Sequence, residues 1–281
     1  MGLARKIGAD LALALYANEQ LESAWLHCTD ADVELPQNYF DIASPSKKLA
    51  ACIYPYQHSH NENIQAIKLY ELRLAYYANG LKWAGSPYGY QTVGSTLVIN
   101  AEHYAKVRGF PKLSAGEDFH ILNKLAKTGQ IQPLEQPMLS ISNRVSYRVP
   151  FGTGQSVAKI QASESPLSLP LFENPAAFRY LKTVLQSFDQ FWALGDAEKV
   201  MASFSQMPII QEALAHCQFT KGLQHAFKQS KNVEQFKKQL QQHFDALASL
   251  RFIHCIDAQH GQLNYQQLCE QPPEWVKNVN L

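Results

Sequence analysis

The chain has 281 residues, 46% apolar and 17% charged, enough to bury a substantial core in one domain or two. Lysine and arginine total 25 against 24 acidic residues, so no strong overall field draws the protein to nucleic acid or to an anionic membrane surface. The five cysteines (Cys28, Cys52, Cys217, Cys255, Cys269) are scattered and never spaced as C-x-x-C, which disfavours a disulfide framework and a structural zinc site and fits reduced thiols in the cytoplasm.

In chain order, Leu3, Ile7, Leu11 and Leu15 recur at i, i+4 intervals, which predicts a helix packed along that stripe, with the chain beginning inside it. The most apolar early stretch, residues 11–17, is far shorter than the ~20 residues of a membrane span, so neither a span nor a signal peptide is expected. The apolar run Trp25–Cys28 reads as a buried strand opening onto Thr29-Asp30-Ala31-Asp32. Residues 49–56 read as a second strand, and the polar stretch holding His58 and His60 as an exposed loop. A helix is expected over 62–78, a Gly/Tyr/Ser/Pro loop suited to a cleft over 85–94, and a strand over 95–99. A short helix over 101–108, a turn at Gly109-Phe110-Pro111 and a helix over 117–127 ended by Gly129 come next. Arg144 and Arg148 lie in a basic segment running into Gly152 and Gly154, and residues 155–174 have the composition of a connection. Beyond it, Phe178, Leu181, Leu185, Phe188 and Trp192 keep a helical rhythm, as do Val233, Phe236, Leu240, Phe244 and Leu247. The expected division is an α/β domain over 1–165 and a mostly helical region over 166–281.

Asp30 and Asp32 flank one small residue beyond a strand, where open α/β sheets bind ligands, and hard divalent cations such as magnesium or manganese take carboxylate oxygens. A turn plus a cap for a helix starting near Pro36 would use the same residues. Glu117 and Asp118 follow Gly116 at a helix start, where acids suit the helix dipole; a carboxylate there could equally serve as a general base. Arg144 and Arg148 suit phosphate oxygens or a solvated turn. His58 and His60 form an H-x-H without a third ligand. Tyr88-Gly89-Tyr90 could stack on a sugar ring or pack a wall.

The ordered set Ala4-Arg5-Lys6-Ile7-Gly8, Thr29-Asp30-Ala31-Asp32 with Pro36, Gly94-Ser95 with Val98-Ile99-Asn100, Gly109-Phe110 and Gly116-Glu117-Asp118-Phe119 resembles family 2 glycosyltransferases over roughly residues 2–154. The resemblance implies an incomplete A-type glycosyltransferase fold, a Rossmann-like nucleotide-diphospho-sugar transferase domain, with a helical C-terminal appendage. It further implies transfer of a sugar from a nucleotide-sugar donor to the hydroxyl of a saccharide or lipid-linked acceptor, inverting and dependent on magnesium or manganese. On that pattern Asp30 and Asp32 hold the metal and donor, Arg5 touches the donor, Arg144 and Arg148 close over the diphosphate, and Asp118, beside Glu117, is the catalytic base. Lys6 stands where the family commonly has asparagine. The family also places two or three strands before the D-x-D strand to grip the nucleotide, and residues 1–29 do not resemble them. An internal start within a longer gene product, a fragment and a degenerate relative each account for this, the first being preferred.

The expected location is the cytoplasm, with room for peripheral contact at the inner face of a membrane; no nucleic-acid partner is expected and the oligomeric state is open. The competing readings are an inactive carbohydrate-binding or scaffold relative and a nucleotidyltransferase, whose chemistry also uses paired aspartates and a metal.

Overall fold

The computed structural model describes residues 1–41, 46, 48–59, 64–142 and 152–276. Among these the chain is α/β and divides into two compact units, one built from residues 1–71 and 91–166, the other from 72–90 and 167–276. The expected single domain over 1–165 therefore gives up residues 72–90 to the helical unit.

The first unit begins with α1 (Gly2–Ala17), β1 (Trp25–Cys28), β2 (Val33–Glu34), β3 (Leu49–Ile53), β4 (Tyr56–His58) and the first turns of α2 (Ile64–Trp83). It resumes with β5 (Leu97–Asn100), α3 (Ala101–Lys106), α4 (Glu117–Leu125), β6 (Gln130–Pro133), β7 (Leu139–Ile141) and α5 (Thr153–Gln161). One sheet has the order β1-β5-β3-β6: β5 runs antiparallel to both β1 and β3, and β3 runs parallel to β6. β3 and β5 are buried at every residue, which is why they are continuous apolar runs rather than alternating ones. A second sheet, β2-β7-β4, aligns Val33, Ile141 and His58 in one row. Tyr39, Leu49, Cys52, Tyr54, Val98 and Leu139 form a core cluster drawn from both sheets.

Two local expectations are corrected. Residues 153–161 form α5 inside the expected connection, and no helix starts at Pro36, where β2 is followed by turns. The stripe of α1 is also reversed. Leu3, Ile7 and Leu11 face solvent, while Gly2 and Ala9 are buried. The polar residues of α1 drive this: Lys6 reaches Asp10 and the Arg108 carbonyl, Asp10 accepts from the Tyr104 hydroxyl, and Arg5 turns inward.

The second unit contains the remainder of α2 and α6 (Pro175–Gln186), α7 (Phe188–Leu194), α8 (Ala197–Ala202), α9 (Pro208–His216), α10 (Phe219–Gln229), α11 (Val233–His243), α12 (Ala246–His260) and α13 (Tyr265–Glu270). Asn174, Asp196, Asn232, Asp245 and Asn264 each accept backbone N–H groups at a helix start, contributing about 1 kcal/mol apiece. Phe178, Leu181, Phe236, Leu240 and Phe252 are fully buried between these helices. Among the described residues no helix is long and apolar enough to cross a membrane.

Candidate functional site

The site begins with how α1 is anchored. The Gly2 N–H donates to the Leu113 carbonyl at 2.9 Å, and a β-carbon at Gly2 would collide with the Pro111 and Leu113 backbone. This lodges the first turn of α1 against the segment leading into α4. Gly116, with φ of 73°, turns that segment so that α4 starts at Glu117. Glu117, Ile121 and Leu125 fall at i, i+4 and i+8 on the buried face of α4, so the Glu117 carboxylate points inward and is only 5% exposed.

Arg5 meets it there. The guanidinium donates from Nε to Glu117 Oε1 at 3.0 Å and from Nη2 to Asp30 Oδ1 at 2.7 Å. Asp30 follows the carboxyl end of β1, so one arginine joins a strand end to a helix start. Gly94 makes room: a β-carbon there would lie 2.8 Å from Arg5 Nη2. Burial works against the Arg5 charge, yet Asp30 and Glu117 outweigh it and raise its pKa.

Asp118 lies one residue along and is half-buried. Burial pushes its carboxyl up to about 6, Glu117 adding to the effect, while the Phe119 N–H, donating to Oδ1 at 2.7 Å, and Arg5 oppose it. A carboxyl in that range can take and return a proton near neutral pH. The Cys28 thiol at the end of β1 is pushed up to about 11, mainly by burial, and is held as the unreactive thiol.

Asp32 is half-buried and stands in the turn just before β2, two residues after Asp30. Among the described residues no group of three or more His, Cys, Asp or Glu side chains could hold a metal ion by itself. Asp30, one oxygen of which accepts from Arg5, and Asp32 are the carboxylates beyond β1 that could each give a ligand to magnesium or manganese, which bind through one or two carboxylates and complete their shell with water and phosphate oxygens. The structure thus brings together Arg5, Asp30, Glu117 and Asp118; Arg144 and Arg148 lie outside the described residues.

At two other positions the structure corrects one expectation and selects between two open readings. His58 is on β4 rather than in an exposed loop; it is 3% exposed, with Nδ1 2.7 Å from Glu71 Oε1. Its backbone N–H donates to the same oxygen at 3.0 Å. The partner, Glu71 on α2, carried no local signal that tied it to the histidine; His60 lies outside the described residues. Tyr88 and Tyr90 are buried in the helical unit, the Tyr88 hydroxyl donating to the Gln241 carbonyl at 3.4 Å, so they pack a core rather than face a sugar. Sequence reasoning also passed over Tyr70, whose hydroxyl is 3.0 Å from Thr153 Oγ1 at the start of α5.

No family model, curated protein or solved structure matches the chain.

Proposed function

We propose that the first unit carries the acceptor-side chemistry of an inverting glycosyltransferase on an A-type glycosyltransferase fold, using a nucleotide-sugar donor and the hydroxyl of a saccharide or lipid-linked acceptor. The observation that carries this reading is the Arg5 guanidinium bridging Asp30 and Glu117, which assembles the ends of three distant motifs beside the raised-pKa carboxyl of Asp118. In this reading Asp118 takes the proton from the acceptor hydroxyl as its oxygen attacks the anomeric carbon. The carbon–oxygen bond to the diphosphate breaks on the opposite face, and the configuration inverts. Asp30 and Asp32 would hold the divalent cation, which when bound neutralises charge on the departing diphosphate. Arg5 fixes the orientation of Asp30 and supplies positive charge on the same side of the site.

Release of nucleoside diphosphate from a panel of nucleotide-sugars, with magnesium or manganese present, tests the reading. Turnover that falls by about 100-fold or more in Asp118→Asn supports it, the range expected on losing a general base. Unchanged turnover in that variant sinks the assignment.

The Arg5–Asp30 ion pair also favours a second reading. With Asp30 already neutralised, the site would suit a relative that binds saccharide without turnover. Calorimetric binding of saccharides together with no diphosphate release from any donor would select it.

A further inference from the structure

The near-neutral total charge is unevenly spread. Residues 213–244 hold five lysines and three histidines against one acid, Glu234, and contain no arginine. Most of this stretch is the hairpin of α10 and α11. A β-carbon at Gly222 would collide with the His243 ring, and His243 Nε2 lies 3.3 Å from the Gln218 carbonyl, so the start of α10 meets the end of α11. Gly222, Leu223 and Ala226 bury the inner side of α10, and Phe236 and Leu240 that of α11. The lysines lie outside. Lys221, His225 and Lys228 fall at i, i+4 and i+7 on the exposed side of α10, Lys231 is exposed in the turn, and Lys238 is exposed on α11. Lys221 reaches the Gln218 side chain, and Lys237 pairs with Asp189 of α7 at 3.1 Å. Acids on the other neighbouring helices are engaged away from the lysines: Asp196 and Asp245 cap α8 and α12, and Glu212 accepts from the Gln259 amide, while Glu198 adjoins Lys199. Near the hairpin turn Phe227 and Phe236 meet at 4.6 Å and Trp192 of α7 lies 5.4 Å from Phe236, the rings of Trp192 and Phe227 being only half-buried.

We propose that the outer side of the α10–α11 hairpin docks on an anionic lipid bilayer through Lys221, Lys228, Lys231 and Lys238. Lys221 and Lys228 stand about 10 Å apart along α10, close to the screening length at physiological salt, so neighbouring lysines act on a charged surface together. Each lysine brought against acidic headgroups strengthens binding about fivefold, and four of them by several hundredfold at most. The choice of cation selects the partner. Ammonium groups on flexible stems suit a diffuse layer of headgroups, whereas the bidentate grip on a single phosphate of a nucleic acid or phosphopeptide is made by arginine, which this stretch lacks. Half-covered Trp192 and Phe227 near the same lysines are rings of the kind that settle at headgroup level. The proposal stands independently of the glycosyl-transfer reading, because it uses no residue of that site.

Co-sedimentation of the full chain with phosphatidylcholine vesicles containing about 30% phosphatidylserine, beside vesicles of phosphatidylcholine alone, tests it at about 0.1 M salt. The expected result is binding to the acidic vesicles only, weakened by added salt. Replacing the four lysines together, Lys221→Gln, Lys228→Gln, Lys231→Gln and Lys238→Gln, should lower the partition at least about tenfold. Lys106→Gln, Lys112→Gln, Lys124→Gln and Lys159→Gln, at exposed positions of the first unit, change the net charge equally and should leave the partition unaltered. All eight side chains are in solvent, so loss of fold is not expected, and equal thermal midpoints check it. A wild-type chain that ignores the acidic vesicles, binds both kinds equally, or loses as much in the second variant as in the first overturns the proposal. So does a chain that uses the same four lysines to hold a DNA duplex or an acidic peptide while leaving the vesicles alone.

Discussion

Arg5 and Glu117, separated by 112 positions in the chain, form an ion pair at 3.0 Å in which both side chains are almost completely withdrawn from solvent. Such a pair couples two motifs that would otherwise be independent, since neither charge is tolerated there alone.

Arg5→Ala leaves the Glu117 carboxylate buried without its cation. The expected cost is about 3 kcal/mol, the low end for breaking a buried pair from one side. Urea denaturation measures it as a lower midpoint with an unchanged slope. Arg5→Ala with Glu117→Gln should recover part of the loss; a double variant no better than the single would show that the pair does not carry the stability.

Asp118 should impose a pH dependence of its own. Its folded pKa of about 6 lies above the ordinary 3.8, so the folded state holds the proton more tightly than the unfolded state. The resulting stabilisation is fully present below the ordinary value and is lost as pH rises to about 6. It is on the order of 2 kcal/mol for a shift of this size in a half-buried group. Asp118→Asn should flatten that slope between acid and neutral pH, measured by denaturant midpoints across the range. In the proposed reaction, turnover should rise with pH as the same carboxyl loses its proton.

Gly94→Ala places a methyl group against the Arg5 guanidinium. The expected penalty is about 1 to 3 kcal/mol, as for other overpacked sites. The same substitution made in the Arg5→Ala background should cost clearly less, because the clashing group is gone. Equal costs in both backgrounds would place the strain elsewhere.

In the helical unit, Glu173 is 2% exposed and receives Arg73 at 3.5 Å, while its Oε2 has no hydrogen-bond partner among the described residues. Burial raises its pKa, Arg73 opposing the shift and Asp257 adding to it. Its stabilising contribution is therefore present in acid and is lost as pH climbs through the raised value. Glu173→Gln should remove that dependence and raise the thermal midpoint at neutral pH relative to acid, checked by melting both proteins at several pH values.

The readable parts of the chain were those whose signal is local. Trp25–Cys28, residues 49–53 and Leu97–Asn100 announce themselves as apolar runs because both of their faces are covered or nearly so. Gly116 with Glu117 and Asp118 marks a helix start by turn geometry and charge alone. The strands β2, β4 and β7 have two or three residues and no room for a periodic pattern. β6 is mostly exposed at the sheet edge and reads as polar coil. The face of α1 is not legible for a different reason: the partners that draw Arg5 inward and hold Lys6 and Asp10 on the α3 side lie near residues 30, 104–108 and 117, beyond the reach of a helical wheel. For the same reason Asp30 and Glu117 were identifiable as separate motifs, whereas the arginine that joins them was legible only as a motif letter.

The lodging of Gly2 against the Pro111 and Leu113 backbone sets a phase as well as a position. Each residue of a helix advances the side-chain direction by about 100° and the axis by about 1.5 Å. One residue inserted between Gly2 and Arg5, with Gly2 still seated, would swing the guanidinium a quarter turn away from Asp30 and Glu117. Between these two points α1 therefore behaves like a key cut to one angular setting, and Leu3 and Ala4 tolerate changes of identity more readily than a change of number.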